Sequence, residues 1–254
     1  MSTVQEIYAY LDETAPFSAQ EKWDNSGLLV GDFRQCVDGV LITLDITAAS
    51  VAAAVQNGCG LIIAHHPVIF SPIRSLSPDN PVYQLAANQI AAICSHTPMD
   101  IAEGGINDIL VRMFGEKIMF SPEVLPLDAS GCGRIVTLET PVTAGELAKI
   151  TKEILHCPYV RLSDAEKPIR TLGICSGSGA SMLEEIEGRC DALLTGDVKH
   201  DRWYAAKQYG ISLIDCGHYH TEIVMVHALA ERLRAQFPEL KVIEWEGGDP
   251  VSYV

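Results

Sequence analysis

Leu61-Ile62-Ile63-Ala64-His65-His66 is the stretch that decides how this chain folds and where its chemistry sits. The four apolar residues read as a short buried strand. Two imidazoles at the end of such a strand have little packing reason to be there, because each ring nitrogen must find a partner or water. At a strand's carboxyl end, side chains open into the crevice where α/β proteins bind ligands.

Other strand ends supply oxygen donors. Ile93-Cys94-Ser95-His96-Thr97-Pro98-Met99-Asp100 reads as a second apolar strand running into a polar turn that ends in Asp100. Leu213-Ile214-Asp215-Cys216-Gly217 leads into His218, and the helical periodicity that follows puts His218 and Glu222, at i and i+4, on one helix face. Three histidines and two carboxylates without thiolate suit zinc, iron(II) or manganese better than a structural cysteine cage. Five ligands also exceed what one catalytic zinc usually takes, so the count favours two divalent ions roughly 3.5–4 Å apart, bridged by a carboxylate. Singly, each element has a plainer reading as a satisfied core histidine or an exposed charge pair. Their shared position at strand ends is what joins them.

Apolar runs at 39–44, 60–64, 91–95, 133–138, 171–175, 191–194 and 211–215 have strand length, and helical stretches separate most of them. Thr3 to Glu6, Thr143 to Glu146 and Ser181 to Glu184 each match the capping box and predict a helix start. Leu147, Ile150, Ile154 and Leu155 mark one buried face of the helix after Thr143. This alternation predicts an α/β protein of two α/β domains, with mixed sheets flanked by helices. Prolines and glycines at 122, 126, 131 and 133 interrupt periodicity. They place the first domain at 1–125 plus about 220–254, with the strand Lys241-Val242-Ile243-Glu244 returning to it, and the second at 126–219.

Four ordered blocks together resemble one family. They are Ile63-Ala64-His65-His66-Pro67-Val68-Ile69-Phe70, Ser95-His96-Thr97-Pro98-Met99-Asp100, Leu194-Thr195-Gly196-Asp197-Val198-Lys199-His200, and Asp215-Cys216-Gly217-His218-Tyr219-His220-Thr221-Glu222. An early block, Trp23 through Asp32, resembles the same family's amino-terminal motif. The family is the NGG-interacting-factor-three-like one, whose members are known as GTP cyclohydrolase 1 type 2 homologues, and the likeness spans the chain in the short form without an inserted domain. The resemblance implies a dinuclear metal centre whose ligands match His65, His66, Asp100, His218 and Glu222, and a ring-shaped homohexamer. Asp197 stands where the family often has glutamate.

Composition bounds the partners. The 254 residues are 48% apolar and carry a formal charge of −15, which opposes broad binding to nucleic-acid backbones or anionic lipid. The amino terminus has no cationic flank followed by an apolar core, and no apolar run approaches membrane-spanning length, so a cytoplasmic protein that neither enters nor spans a membrane is expected. Eight cysteines without C-x-x-C spacing read as reduced core residues.

The expected activity is metal-assisted hydrolysis of a small molecule, with a GTP cyclohydrolase-like opening of a nucleotide ring as the first reading. A phosphoesterase is the alternative reaction, and a metal-holding scaffold or interaction module without catalysis is the alternative class. His96 and His200 are the candidate general acid/base groups, because histidine titrates near neutrality. Lys199 is a candidate substrate contact. Cys175 through Ala180 looks like either a tight turn or a phosphate-cradling loop. His220 and His227 read as solvent or interface residues, and Trp23 through Gly31 as a structural corner.

Overall fold

A computed structural model describes residues 1–252. The chain begins with β1 (Ser2–Thr3), α1 (Val4–Thr14), β2 (Gly27–Val30), β3 (Cys36–Val37), β4 (Gly39–Thr43), α2 (Ala48–Asn57), β5 (Leu61–Ala64), α3 (Pro81–Ala87), β6 (Ala91–Cys94) and α4 (Thr97–Ile101). It continues through α5 (Ile106–Gly115), β7 (Phe120–Pro126), β8 (Arg134–Thr143), α6 (Ala144–Ile154), β9 (Arg161–Leu162), β10 (Pro168–Ile174), β11 (Ala192–Thr195), α7 (His200–Gln208), β12 (Ser212–Asp215) and α8 (His218–Glu222). It closes with α9 (Val224–Gln236) and β13 (Lys241–Glu244). These elements form two units, one of residues 1–103 and 225–248, the other of 104–224 and 249–252 among the described residues. The chain leaves the first unit after Glu103, ahead of the proline-rich stretch, which forms β7 and its turn into β8 inside the second unit.

In the first unit a five-stranded sheet runs β13-β4-β5-β6-β2. The pairings β13/β4, β4/β5 and β5/β6 are parallel, and β2 closes the edge antiparallel to β6. Every residue of β4, β5 and β6 is buried, which is why these strands are unbroken apolar runs without alternation. Leu41, Ile62, Ala64 and Ala92 pack with Val51, Ala54 and Leu85 from the helices, and each fully buried leucine or isoleucine contributes about 1.5–3 kcal/mol. Register pairs Thr43 with Ala64 and Ala64 with Cys94, so three parallel strands end at one edge.

The second unit repeats this plan. Its six-stranded sheet runs β7-β8-β10-β11-β12-β9, with β10, β11 and β12 parallel and the outer strands antiparallel. Ile174 pairs with Leu194 and Thr195 with Asp215, again aligning three strand ends. Leu127, Ile135, Leu183, Ile186, Leu193 and Leu213 belong to one core cluster of this unit.

Capping boxes at Thr3 and Thr143 start α1 and α6 as their spacing requires. Ser181 starts no α-helix. Residues Gly179–Met182 form a single 3-10 turn, and Glu184, which would have reached back to cap, instead accepts from Arg202 Nη1 at 3.1 Å. Cys59, Cys94, Cys157, Cys175, Cys190 and Cys216 are buried thiols, and burial pushes the Cys190 thiol up to about 11. Among the described residues no helix is long and apolar enough to cross a membrane.

Asp191, just before β11, braces the second sheet by accepting from the amides of Arg170 (2.9 Å) and Thr171 (2.8 Å) and from the Thr171 hydroxyl (3.0 Å). Burial would raise its carboxyl, but those hydrogen bonds hold it below the ordinary carboxylate value. A depressed folded pKa adds stability that is complete above about pH 4 and lost as pH falls through the folded value. Asp191→Asn should therefore be less stable than wild type at pH 7, with the gap closing as denaturation is measured at successively lower pH. A gap that widens on acidification would refute this.

Candidate metal centre

Each unit carries candidate ligands at the carboxyl edge of three neighbouring parallel strands, β4, β5 and β6 in the first and β10, β11 and β12 in the second. In the first, His65 and His66 follow β5, Asp45 follows β4, and Ser95 and His96 follow β6. His65 is fully buried, and its Nδ1 lies 3.0 Å from the Ser95 carbonyl oxygen. That oxygen can only accept, so Nδ1 carries the proton and Nε2 of the neutral ring carries the lone pair. His66 Nδ1 lies 2.9 Å from Asp45 Oδ1, and His96 Nδ1 lies 2.8 Å from Asp24 Oδ1, which orients both rings the same way. One ring nitrogen from each of His65, His66 and His96 can be chosen so that all three lie within 4.8 Å of one another. Asp100, 7% exposed on α4, brings Oδ2 to 3.8 Å from His65 Nε2.

In the second unit His218 Nδ1 lies 2.9 Å from Asp197 Oδ2, and its Nε2 lies 2.9 Å from Oε2 of Glu222 on the same helix face. A lone-pair nitrogen held this close to a carboxylate oxygen calls for a cation, either a proton on the ring or a metal. The local arrangement matches that of the first unit: an aspartate after one parallel strand holds the histidine that follows the next, at the same separation of 21 residues for Asp45–His66 and Asp197–His218. Histidine ligands whose far nitrogen is bound by a carboxylate or carbonyl are the usual outer shell of a metal site. His65, His66 and His218 all meet that requirement, so the donor set fits a divalent transition metal.

The loops around His218 are braced from behind. Buried Asp215 accepts from the Gly217 amide through Oδ1 (3.0 Å) and from the Val198 amide through Oδ2 (3.1 Å), and the Arg161 guanidinium closes on Oδ2. Asp197 itself is held at φ +52°, a left-handed conformation that aspartate tolerates better than most residues. Gly196 must be glycine, since a Cβ there would lie 2.5 Å from the backbone of Gly217 and His218.

Three amides of the Cys175 through Ala180 loop are turned inward, away from any anion. The amides of Ser176, Gly177 and Gly179 donate to Asn107 Oδ1 (2.9 Å), Thr221 Oγ1 (2.9 Å) and Thr195 Oγ1 (2.8 Å), so these three are spent within the protein. The loop sits against the candidate ligands: a Cβ on Gly177 would lie 2.2 Å from Glu222 Oε1.

His200 is exposed at the start of α7, its ring edge-on to Tyr204 at 5.3 Å. Lys199 lines a pocket of about 190 Å³ with Asp197, Asp201 and Arg202. His227 is exposed and pairs with Glu244, but His220 is buried, its Nε2 lying 3.3 Å from Asp249 Oδ2, and is no solvent residue. The segment from Trp23 is more than a corner, because Asp24 holds His96. Asp45 shows the signal that would have found it: it stands at a strand's carboxyl end, as His65 does.

A family model described as Duf34/NIF3 (NGG1p interacting factor 3) matches residues 2–249. The GTP cyclohydrolase 1 type 2 homolog of Clostridium acetobutylicum is 29% identical over 247 residues, covering 94% of this chain and 92% of its own. NGG1-interacting factor 3 of Saccharomyces cerevisiae is 31% identical, with 80% of each chain covered. Among solved structures, a hypothetical protein of Staphylococcus aureus shares the fold with a TM-score of 0.89 at 27% identity, over 99% of both chains. A Bacillus cereus protein related to NIF3 has a TM-score of 0.88 at 20% identity, over 100% of this chain and 99% of that one, a likeness of fold alone.

Proposed function

Because the chain belongs to the Duf34/NIF3 (NGG1p interacting factor 3) family, we propose that it is a hydrolase that uses two divalent metal ions to open a nucleotide ring. His65, His66, Asp100, His218 and Glu222 are the proposed ligands. The observation that carries this reading is the fixing of three imidazoles through Nδ1, by Ser95, Asp45 and Asp197, which directs each Nε2 lone pair to a ligand's role. The names of relatives such as the Clostridium acetobutylicum protein support the nucleotide part.

Bound there, zinc, iron(II) or manganese would supply Lewis acidity and bring the pKa of water toward neutrality. The chain's own part is to orient and to move protons. Asp24 fixes the His96 ring through Nδ1, so Nε2 is the atom that would take a proton from the attacking water and return it to the departing ring nitrogen. His96 has the better claim to that role, being in the imidazole cluster, whereas His200 rests on Tyr204.

Elemental analysis of protein purified without added metal tests the centre. About two transition-metal ions per chain are expected in the wild type, with loss of metal in Asp100→Ala, and GTP turnover that Glu222→Gln abolishes. A wild type that holds no metal even after reconstitution would sink the mechanism. A metal-loaded wild type inert on every nucleotide would leave a metal-binding scaffold.

A further inference from the structure

We infer that Trp23 and Phe70 form a stacking platform for a planar heterocyclic ring at the edge of the His65–His66–His96 cluster. The inference deepens the nucleotide reading of that cluster and takes the ring's identity from it, while its geometry stands on the first unit alone. Trp23 is 58% exposed and Phe70 55% exposed, yet their ring centroids are only 6.0 Å apart, with planes at 43°. Trp23 also meets His96 edge-on at 5.7 Å, and His96 lies 5.1 Å from His65 and 5.5 Å from His66 by ring centroids. Single exposed aromatics are ordinary on protein surfaces, but two in mutual contact beside three clustered imidazoles form an apolar face against a polar site, the composition of a small-molecule pocket.

The chain bearing these rings is held from below. Trp23 directly precedes Asp24, whose carboxylate accepts from Asn25, Ser26, His96 and Thr97. Asn25 Nδ2 donates to the carbonyl of Ile69, the residue before Phe70, at 2.6 Å. The backbone is thus ordered before any ligand arrives, and little ordering cost is left for binding. A flat ring lying on tryptophan gains stacking that tolerates any base, and its edge would face His96. Together with the nucleotide reading of the cluster, this favours an aromatic heterocycle over a sugar or an acyl chain as the occupant.

The test is calorimetric titration of metal-loaded wild type, Trp23→Ala, Trp23→Phe and Phe70→Ala with GMP, with caffeine as a planar purine lacking sugar and phosphate, and with ribose 5-phosphate. Light scattering and metal content are measured on each variant. Trp23→Ala should weaken GMP and caffeine by about tenfold, and Trp23→Phe should keep most of the affinity. Ribose 5-phosphate binding and metal content should not change. Caffeine binding that depends on Trp23, without GMP binding, would uphold the platform and sink the nucleotide reading. The platform is overturned if wild type binds neither ring, if Trp23→Ala binds both as wild type does, or if that variant loses metal in parallel with affinity. It is overturned equally if Trp23→Ala lowers the assembly's mass with affinities intact, which would make the patch a contact between copies.

Discussion

Gly177→Ala is expected to weaken divalent-metal binding by about 10–100-fold, the usual size of an outer-shell loss, with the protein still folded. The Cβ would stand 2.2 Å from Glu222 Oε1 and 3.4 Å from His218 Cε1. The loop has little freedom to retreat. Its Gly177 amide donates to Thr221 Oγ1, and its Gly177 carbonyl accepts from the Gly196 amide at 2.8 Å and from Thr195 Oγ1 at 3.2 Å. The Glu222 carboxylate must therefore move. Alanine at φ +61° adds backbone strain of about 1–2 kcal/mol, and Gly188→Ala controls for it: φ there is +71° and nothing lies within 4 Å of the added carbon. Chelator competition on both variants, beside thermal melts, separates the two effects. A melting loss in Gly177→Ala at least as large as that in Gly188→Ala, with a metal defect confined to Gly177→Ala, is expected. If both variants bind metal alike, Gly177 does not position Glu222.

That contrast also shows which parts of the molecule a sequence can reveal. The buried parallel strands were legible because burial on both faces forces unbroken apolar runs, as in Leu61–Ala64 and Ala192–Thr195. Helix starts at Thr3 and Thr143 were legible because the capping box is closed within four residues. The role of the 175–180 loop was not. Its glycines and serines suit an anion cradle, and what takes three of its amides out of play is Asn107, Thr195 and Thr221, which lie 69, 16 and 44 residues from the amides they occupy. Ser181 failed as a cap for a similar reason, since Glu184 pairs with Arg202 from another element. The candidate ligands stood out by residue type at strand ends and by family resemblance. Asp45 carries the same strand-end signal, but that it orients His66, and that the Ser95 carbonyl orients His65, shows only once neighbouring strand ends are aligned. His220 reads from its own helix as a solvent or interface residue, and its burial is hidden because its partner Asp249 comes from beyond the last strand.

Asp24→Ala should cost more stability than any other carboxylate substitution in the first unit. The side chain is fully buried and accepts from Asn25 N (2.7 Å), Ser26 Oγ (2.9 Å), His96 Nδ1 (2.8 Å), Thr97 N (3.1 Å) and Thr97 Oγ1 (2.6 Å). Burial alone would raise its carboxyl, but the hydrogen bonds from His96, Thr97 and Ser26 hold it far below the usual carboxylate range. Truncation would leave those donors without their acceptor inside the protein, a loss of about 3–5 kcal/mol and a fall in Tm of roughly 6–20 °C. Asp32 is the informative comparison. Its carboxyl is also depressed, to about 2, by the Arg34 guanidinium, but both partners lie at the surface, where water replaces what the pair loses. Asp32→Ala should leave the melt nearly unchanged. If the two variants melt alike, the buried network around Asp24 does not hold His96 and the base of the Trp23 segment in place, and His96 loses its fixed orientation as a proton carrier.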